Sequence, residues 1–219
     1  MKNQPIISIV LAGGASQRMG QDKALLELDG IPFLTRICNL GLQFSHPVHV
    51  VSARDYSFIL PDGCNQIYDR HLQGPLVAFA EALDAIESQS QTQSQTEYPT
   101  ESQNKSQNKS QNNWYLLLSC DLPYLTELVV KQWIEQLSTV PENAIAYLAK
   151  NPQGYHEALC GFYRSSCRMS LAQAIEAGER SFQRWLRSQT VAELQWDDRQ
   201  VFFNCNHPED WAKVNQTLP

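Results

Sequence analysis

Apolar residues along the chain gather in short blocks, some rich in β-branched residues and some at helical spacing, with polar or glycine-bearing segments between them. Residues 6–11 (IISIVL) form a continuous apolar run that reads as a buried strand. Residues 25–30 alternate weakly and end in Asp29-Gly30, a turn signal. Pro32 stands where a helix can begin, and Phe33, Leu34, Ile37, Leu40 and Phe44 follow near helical spacing. Strands are expected at 48–52 and, shorter, at 65–69, so the order strand, loop, helix, strand indicates a βαβ unit and a parallel sheet. An apolar helix is expected over 77–86, and the run WYLLLS at 114–119 reads as a central strand buried on both faces. Beyond it the pattern predicts an amphipathic helix at 126–137 with Leu128, Trp133, Ile134 and Leu137 on its apolar side. Strands at 144–148 and 156–163 follow, then a helix at 170–177 ended by Gly178. Residues 202–210 are expected to close the sheet, and a helix at 211–217 to cap it. The class is α/β with a mostly parallel sheet.

One segment breaks this rhythm. Residues 88–113 (SQSQTQSQTEYPTESQNKSQNKSQNN) carry almost no apolar side chains and cannot bury enough surface to offset their ordering entropy. They read as a disordered insertion in a surface loop, which a fold tolerates because loop-closure cost grows only logarithmically with length. The expectation is one domain over 1–219, interrupted at 88–113. The chain is 42% hydrophobic, enough for one good core. No apolar run approaches the roughly 20 residues needed to span a bilayer, and the N-terminal residues lack a secretory pattern, so a cytoplasmic protein away from membranes is expected. Six cysteines without C-x-x-C spacing are expected to be reduced thiols rather than disulfides or a zinc site. A net charge of −6 argues against nucleic-acid binding and requires that any site for an anion concentrate cations locally. Arg18, Lys23, a divalent metal, Arg164 and Arg180 are the candidates, with Arg164 read either as facing a phosphate or as a solvated arginine.

Candidate chemistry begins where the first strand ends. Leu11, Ala12, Gly13, Gly14, Ala15 and Ser16 are followed by Arg18, Gly20 and Lys23. Small residues let backbone N–H groups approach a ligand, and two cations beside them suit a polyphosphate at the carboxyl end of a strand. The spacing of Gly14 and Gly20, with Gln21 following, excludes a Walker A loop, and adjacent Gly13 and Gly14 exclude the dinucleotide fingerprint. On the glycines alone a tight turn is an equal reading. Asp121, at the end of the central strand and before Pro123, can hold Mg²⁺, which usually takes one or two carboxylates plus substrate phosphates; an Asp-x-Pro turn is the alternative. Asp69 ends a shorter strand, where a capping role is also open.

The series Leu11-Ala12-Gly13-Gly14, Ser16, Arg18-Met19-Gly20 and Asp22-Lys23 resembles the LAGG-x-S-x-RMG-x-DK signature of nucleotidyltransferases. With Cys120-Asp121-Leu122-Pro123 and the stretch from Phe202 to Asp210 it is most similar to the molybdenum cofactor guanylyltransferase family. The resemblance implies a Rossmann-like three-layer α/β/α fold of the nucleotide-diphospho-sugar transferase type. It also implies transfer of GMP from GTP to molybdopterin with release of pyrophosphate. By carry-over, Arg18, Lys23 and Asp121 are catalytic. Leu11, Ala12, Gly13, Gly14, Lys23, Asp69, Gly74, Pro75, Leu76 and Asp121 bind the nucleotide. Arg180, Asn204 and Asn206 face the acceptor, and Asp121 carries the metal. Cys205 and His207 depart from the usual Val and Thr of the C-terminal run. Other molybdenum cofactor biosynthesis proteins are implied partners. A cytidylyltransferase acting on the same pterin and a sugar-phosphate nucleotidyltransferase share the signature loop, and a non-catalytic GTP-binding protein is the alternative of another class. A phosphate nucleophile is already ionised at neutral pH, so the implied reaction needs positioning and charge neutralisation rather than a general base.

Overall fold

In the computed structural model, which describes residues 5–13, 22–95 and 113–217, the first strand β1 (Ile6–Leu11) lies at the centre of a seven-stranded sheet. The other strands are β4 (Val48–Ser52), β5 (Cys64–Tyr68), β6 (Trp114–Ser119), β7 (Ala146–Lys150), β8 (His156–Arg164) and β9 (Val191–Glu193), in the order β5-β4-β1-β6-β8-β7-β9. All run the same way except β8, which is antiparallel to β6 and β7. A two-stranded hairpin of β2 (Glu27–Leu28) and β3 (Ile31–Pro32) turns through Asp29 and Gly30, at φ 55° and 72°. Positive φ at both central residues is what Asp-Gly supplies in a tight hairpin, so the expected turn is present.

Alternation along the central strands separates two cores. Val10, Val50, Leu116 and Leu118 point to one face, where α1 (Phe33–Leu42) contributes Leu34 and Ile37 and α3 (Glu127–Gln136) contributes Val130 and Trp133. Ile9, Leu11, Val51, Tyr115 and Leu117 point to the other. There they meet Leu76, Phe79 and Leu83 of α2 (Pro75–Gln95), Leu171 of α4 (Cys167–Glu176), and Phe182 and Trp185 of α5 (Phe182–Leu186). This is the expected three-layer arrangement, and it explains why β1 and β6 read as unbroken apolar runs. The chain ends in α6 (Pro208–Thr217). Among the described residues no helix is long and apolar enough to cross a membrane.

Four expectations need correction. The segment 202–210 does not close the sheet: Arg199–Phe202 is a 3-10 turn capped by Asp198, whose carboxylate accepts from Gln200 N at 3.0 Å, and the last helix already begins at Pro208. The sheet edge is filled instead by β9, and Cys205 N donates to Asp121 O at 3.1 Å rather than to a strand. Helix α2 runs past 88 to Gln95, because no glycine or proline interrupts it there, while residues 96–112 of the expected insertion lie outside the described residues. Leu128 is 65% exposed, leaving Val130 and Trp133 as the buried residues of α3. Arg164, read as solvated or phosphate-facing, is buried at 7% exposure with its guanidinium 4.2 Å from the Trp114 ring centroid and donating to the carbonyls of Ala144, Val140 and Pro141. A cation whose donors are matched by carbonyls is held in the interior rather than offered to a ligand.

Gly161 on β8 leaves no room for a side chain: a Cβ there would lie 2.6 Å from Leu148 Cδ2 and 2.9 Å from Tyr147 O. Gly161→Ala is expected to cost about 1–3 kcal/mol, the usual range for overpacking a filled interior. The midpoint of urea unfolding checks this, and an unchanged midpoint would refute the packing. Burial also pushes the Cys167 thiol up from 9.0 to about 12. Burial, with Asp210 next, pushes the Cys205 thiol up from 9.0 to about 11. Between those values the folded chain holds protons that the unfolded chain releases, so stability falls as pH rises from 9 towards 11. Urea midpoints measured across pH 8 to 11 should decline; a flat profile would contradict the burial of these thiols.

Candidate active site

The parallel strands β1, β4, β5 and β6 all end at one edge of the sheet, and each passes there into a loop. Ala12 N donates to Val51 O at 2.9 Å and Cys120 N to Leu11 O at 3.3 Å, so the ladder is closed up to the point where Gly13 begins. A Cβ at Gly13 would meet nothing within 4 Å, which leaves its backbone open to a ligand. Gly14 and Arg18 lie outside the described residues.

The chain is described again from Asp22, whose side chain organises the next turn and the loop beside it. Its Oδ1 accepts from Ala24 N at 3.2 Å and caps the short 3-10 turn Lys23–Leu25. Its Oδ2 accepts from Arg54 Nη1 and from the Tyr56 hydroxyl, each at 2.7 Å. Burial, with Asp22 beside it, raises the Tyr56 hydroxyl pKa, so that group remains a donor. Both partners come from the loop after β4, so the carboxylate ties that loop to the one after β1.

With Asp22 fixed, Lys23 Nζ lies 2.6 Å from Asn206 Oδ1 and 3.4 Å from Asp121 Oδ2. Asp121 is only 9% exposed, and its Oδ1 accepts a short hydrogen bond from the Ser119 hydroxyl. The backbone bond from Cys205 N to Asp121 O brings the C-terminal segment across this carboxylate. Ala12, Gly13, Lys23, Arg54, Asp121 and Asn206 line a common hollow of about 300 Å³. Desolvation, with Asp121 next, raises the Cys120 thiol well above its ordinary range, so this cysteine is a neutral group in the wall. An ammonium, a guanidinium, open backbone and one buried carboxylate suit a polyphosphate with its counter-cation. Among the described residues no cluster of three or more His, Cys, Asp or Glu is placed to hold a metal.

Of the residues expected at the nucleotide, Leu11 is buried behind the loop at 5% exposure, while Ala12, Gly13, Lys23 and Asp121 come together in the hollow. Asp69, Gly74, Pro75 and Leu76 stand at the same sheet edge but do not line it. Asp69 Oδ1 accepts from Leu72 N at 2.9 Å, Gly74 has φ 95°, Pro75 opens α2, and the Leu76 side chain is wholly within the core. Of the residues expected at the acceptor, Asn206 lines the hollow, and Asn204 Nδ2 donates to Phe202 O at 3.3 Å. Arg180 Nη1 donates to the carbonyls of Ile175 and Glu179 at the end of α4 and does not line the hollow. Sequence reasoning missed Arg54, Tyr56 and Ser119. Their only signal was position: the first two closely follow β4 at the ligand-bearing edge, and Ser119 lies two residues before Asp121.

The family described as MobA-like NTP transferase domain matches residues 8–194. A protein of Nostoc sp. named "Probable molybdenum cofactor guanylyltransferase" is 38% identical over 211 residues, 95% of this chain and 90% of that one. Among solved structures, the molybdopterin-guanine dinucleotide biosynthesis protein A of Archaeoglobus fulgidus superposes with a TM-score of 0.67 at 18% identity, covering 95% and 96% of the two chains. The 2-C-methyl-D-erythritol 4-phosphate cytidylyltransferase of Thermus thermophilus does so with 0.59 at 14% identity, over 96% and 97%. These likenesses give the fold its type, that of the nucleotide-diphospho-sugar transferases.

Asp22→Ala removes a cap and the partner of two loop groups at once. A stability loss of about 1–2 kcal/mol is expected, the upper part of the range for losing such a cap, since the exposed Arg54 pair adds little. Asp22→Asn, which keeps an acceptor, should lose less. Chemical denaturation of the three proteins compares them, and equal stability would remove Asp22 as the tie between the loops.

Proposed function

The chain belongs to the MobA-like NTP transferase domain family and is a nucleotidyltransferase, and we propose that it transfers GMP from GTP to the phosphate of molybdopterin, forming the guanine dinucleotide cofactor and releasing pyrophosphate. The observation that carries the reading is the meeting of Lys23, Asp121 and Asn206 beside Gly13 in one hollow. The name borne by the relative at 38% identity favours guanine and the pterin acceptor over the cytidyl alternative, which the fold alone leaves equal.

The reaction is an in-line displacement. An oxygen of the acceptor phosphate bonds to the α-phosphorus, the bond from that phosphorus to the bridging oxygen breaks, and pyrophosphate leaves with the electron pair. The backbone at Ala12 and Gly13 gives the triphosphate a surface free of side chains. Lys23 offsets charge growing on the departing pyrophosphate, and Arg18 shares that role by its place in the signature. Asp121 fits Mg²⁺ because its carboxylate is oriented by Ser119 beside a phosphate-sized hollow, and such a site completes its shell with substrate oxygens. Bound there, Mg²⁺ would draw electron density from the α-phosphate. Asn206, already an acceptor for Lys23, stands between the nucleotide and the acceptor side. Asp69 with Gly74, Pro75 and Leu76 belongs to the base end of the nucleotide, where the first turn of α2 offers backbone N–H groups while the Leu76 side chain stays in the core. Arg180 and Asn204 are assigned to the acceptor through the family resemblance. The six free cysteines suit a reducing compartment, which supports work in the cytoplasm alongside the other molybdenum cofactor proteins.

With GTP, molybdopterin and Mg²⁺ together, stoichiometric pyrophosphate release is expected, and omission of any one should abolish it. Release with CTP alone would overturn the base assignment, and GTP binding without release would leave a binding protein only. Lys23→Ala should lower turnover by about a hundred- to a thousandfold, as loss of one transition-state donor does, in a protein that still folds but is less stable because Asp121 loses its facing cation. Near-normal turnover would remove Lys23 from the mechanism.

A further inference from the structure

A second cleft, of about 290 Å³, opens at the same edge of the sheet, beside the hollow and distinct from it. Its walls include Asn151, Glu157, Arg199, Phe202 and Phe203. Two separate chain segments connect it to the hollow. On β8, Glu157 lines the cleft and Leu159 lines the hollow, two residues or about 7 Å apart along a strand. On the C-terminal segment, Phe203 lines the cleft and Asn206 the hollow, three residues and at most about 10 Å of chain apart. The two spaces are therefore neighbours, separated by a distance on the order of that between the phosphate and the ring system of a small phosphorylated heterocycle.

The cleft has the chemistry of a heteroaromatic site. Phe202 is stacked on Trp133 with ring centroids 5.5 Å apart and planes 3° from parallel, and Phe203 meets Tyr124 edge-on at 5.8 Å. Both rings are thereby held as rigid apolar walls. Asn204, next in the chain, bonds back to Phe202 O and stiffens the segment. Glu157 is half-buried, and among the described residues its carboxylate accepts no hydrogen bond. Desolvation pushes its pKa up, with Arg199 opposing, and Arg199 Nη1 is itself engaged by Lys150 O. A carboxylate drawn from water without donors is placed for a ligand that brings them. A 2-amino-4-oxopteridine does so, because its ring N–H and exocyclic amino group sit side by side and pair with both carboxylate oxygens, as an arginine fork does.

We infer that this cleft seats the pterin ring of the acceptor, with Glu157 reading its 2-amino-4-oxo edge while the acceptor phosphate reaches the hollow. The inference rests on the GMP-transfer reading for the identity of the acceptor, and it names residues that the family resemblance does not supply.

The test compares binding of pterin with binding of lumazine, which carries oxygen in place of the 2-amino group, to wild type and Glu157→Gln. Fluorescence titration gives the affinities, with GTP affinity measured alongside. Wild type should prefer pterin at least tenfold, and Glu157→Gln should lose that preference while keeping its GTP affinity. In turnover, the variant should raise KM for molybdopterin at least tenfold with KM for GTP unchanged. Phe203→Ala should weaken both rings alike. Equal binding of the two rings by wild type, or binding of neither, overturns the inference without recourse to any variant. So does a Glu157→Gln protein that keeps the preference. If wild type prefers pterin yet GTP and molybdopterin yield no pyrophosphate, the reaction is wrong and the cleft stands; turnover without the preference sinks the cleft alone.

Discussion

The ammonium of Lys23 joins parts of the chain that lie 98 and 183 residues away, Asp121 and Asn206. Asp121 is nearly out of water, and a carboxylate so placed is costly unless a cation or donors face it. Lys23 and Ser119 supply that compensation, and Cys205 N–H on the Asp121 carbonyl draws the C-terminal segment over the same spot. Lys23 is thus held at a fixed place beside Gly13 by Asp121 and Asn206. The hollow also solves a problem of charge. A chain of net charge −6 must gather its cations locally to hold a polyanion, and Asp22 does part of that by anchoring Arg54 beside Lys23.

The sheet exists to bring those groups to one edge. Because β1, β4 and β6 run parallel, their carboxyl ends open side by side, and Gly13, Arg54 and Asp121 follow them within a few residues. The single reversed strand, β8, enters at this edge and returns through the interior, so its first residues contribute to both the hollow and the cleft beside it.

Much of this was legible because double burial leaves a plain imprint. IISIVL and WYLLLS have no polar alternation, and each forms a central strand as expected. The C-terminal segment was illegible for the opposite reason. Its Phe-Phe-Asn-Cys-Asn alternation matches a strand, but the free edge of β7 is taken by Val191–Glu193, three residues with no distinctive pattern. Arg164 carries no mark of burial in the sequence, since the ring of Trp114 and three carbonyls that hold it come from elsewhere in the fold. The site divides the same way. Gly13, Lys23 and Asp121 were visible through their residue types and positions after strands, whereas Arg54 and Tyr56 matter through a bond to Asp22 that only the tertiary structure makes. Arg180 donates to the carbonyls at the end of a helix, partners that its charge alone does not reveal.

The proposed chemistry depends above all on Gly13, Lys23 and Asp121 together holding a nucleoside triphosphate and its metal. The most direct measurement is a crystal structure of the chain with Mg²⁺ and a GTP analogue that resists cleavage at the α-phosphorus. We expect the triphosphate across Gly13 with an oxygen in hydrogen-bond reach of Lys23 Nζ, and the metal about 2.1 Å from an Asp121 oxygen. A triphosphate bound elsewhere, or a metal held without Asp121, would contradict it.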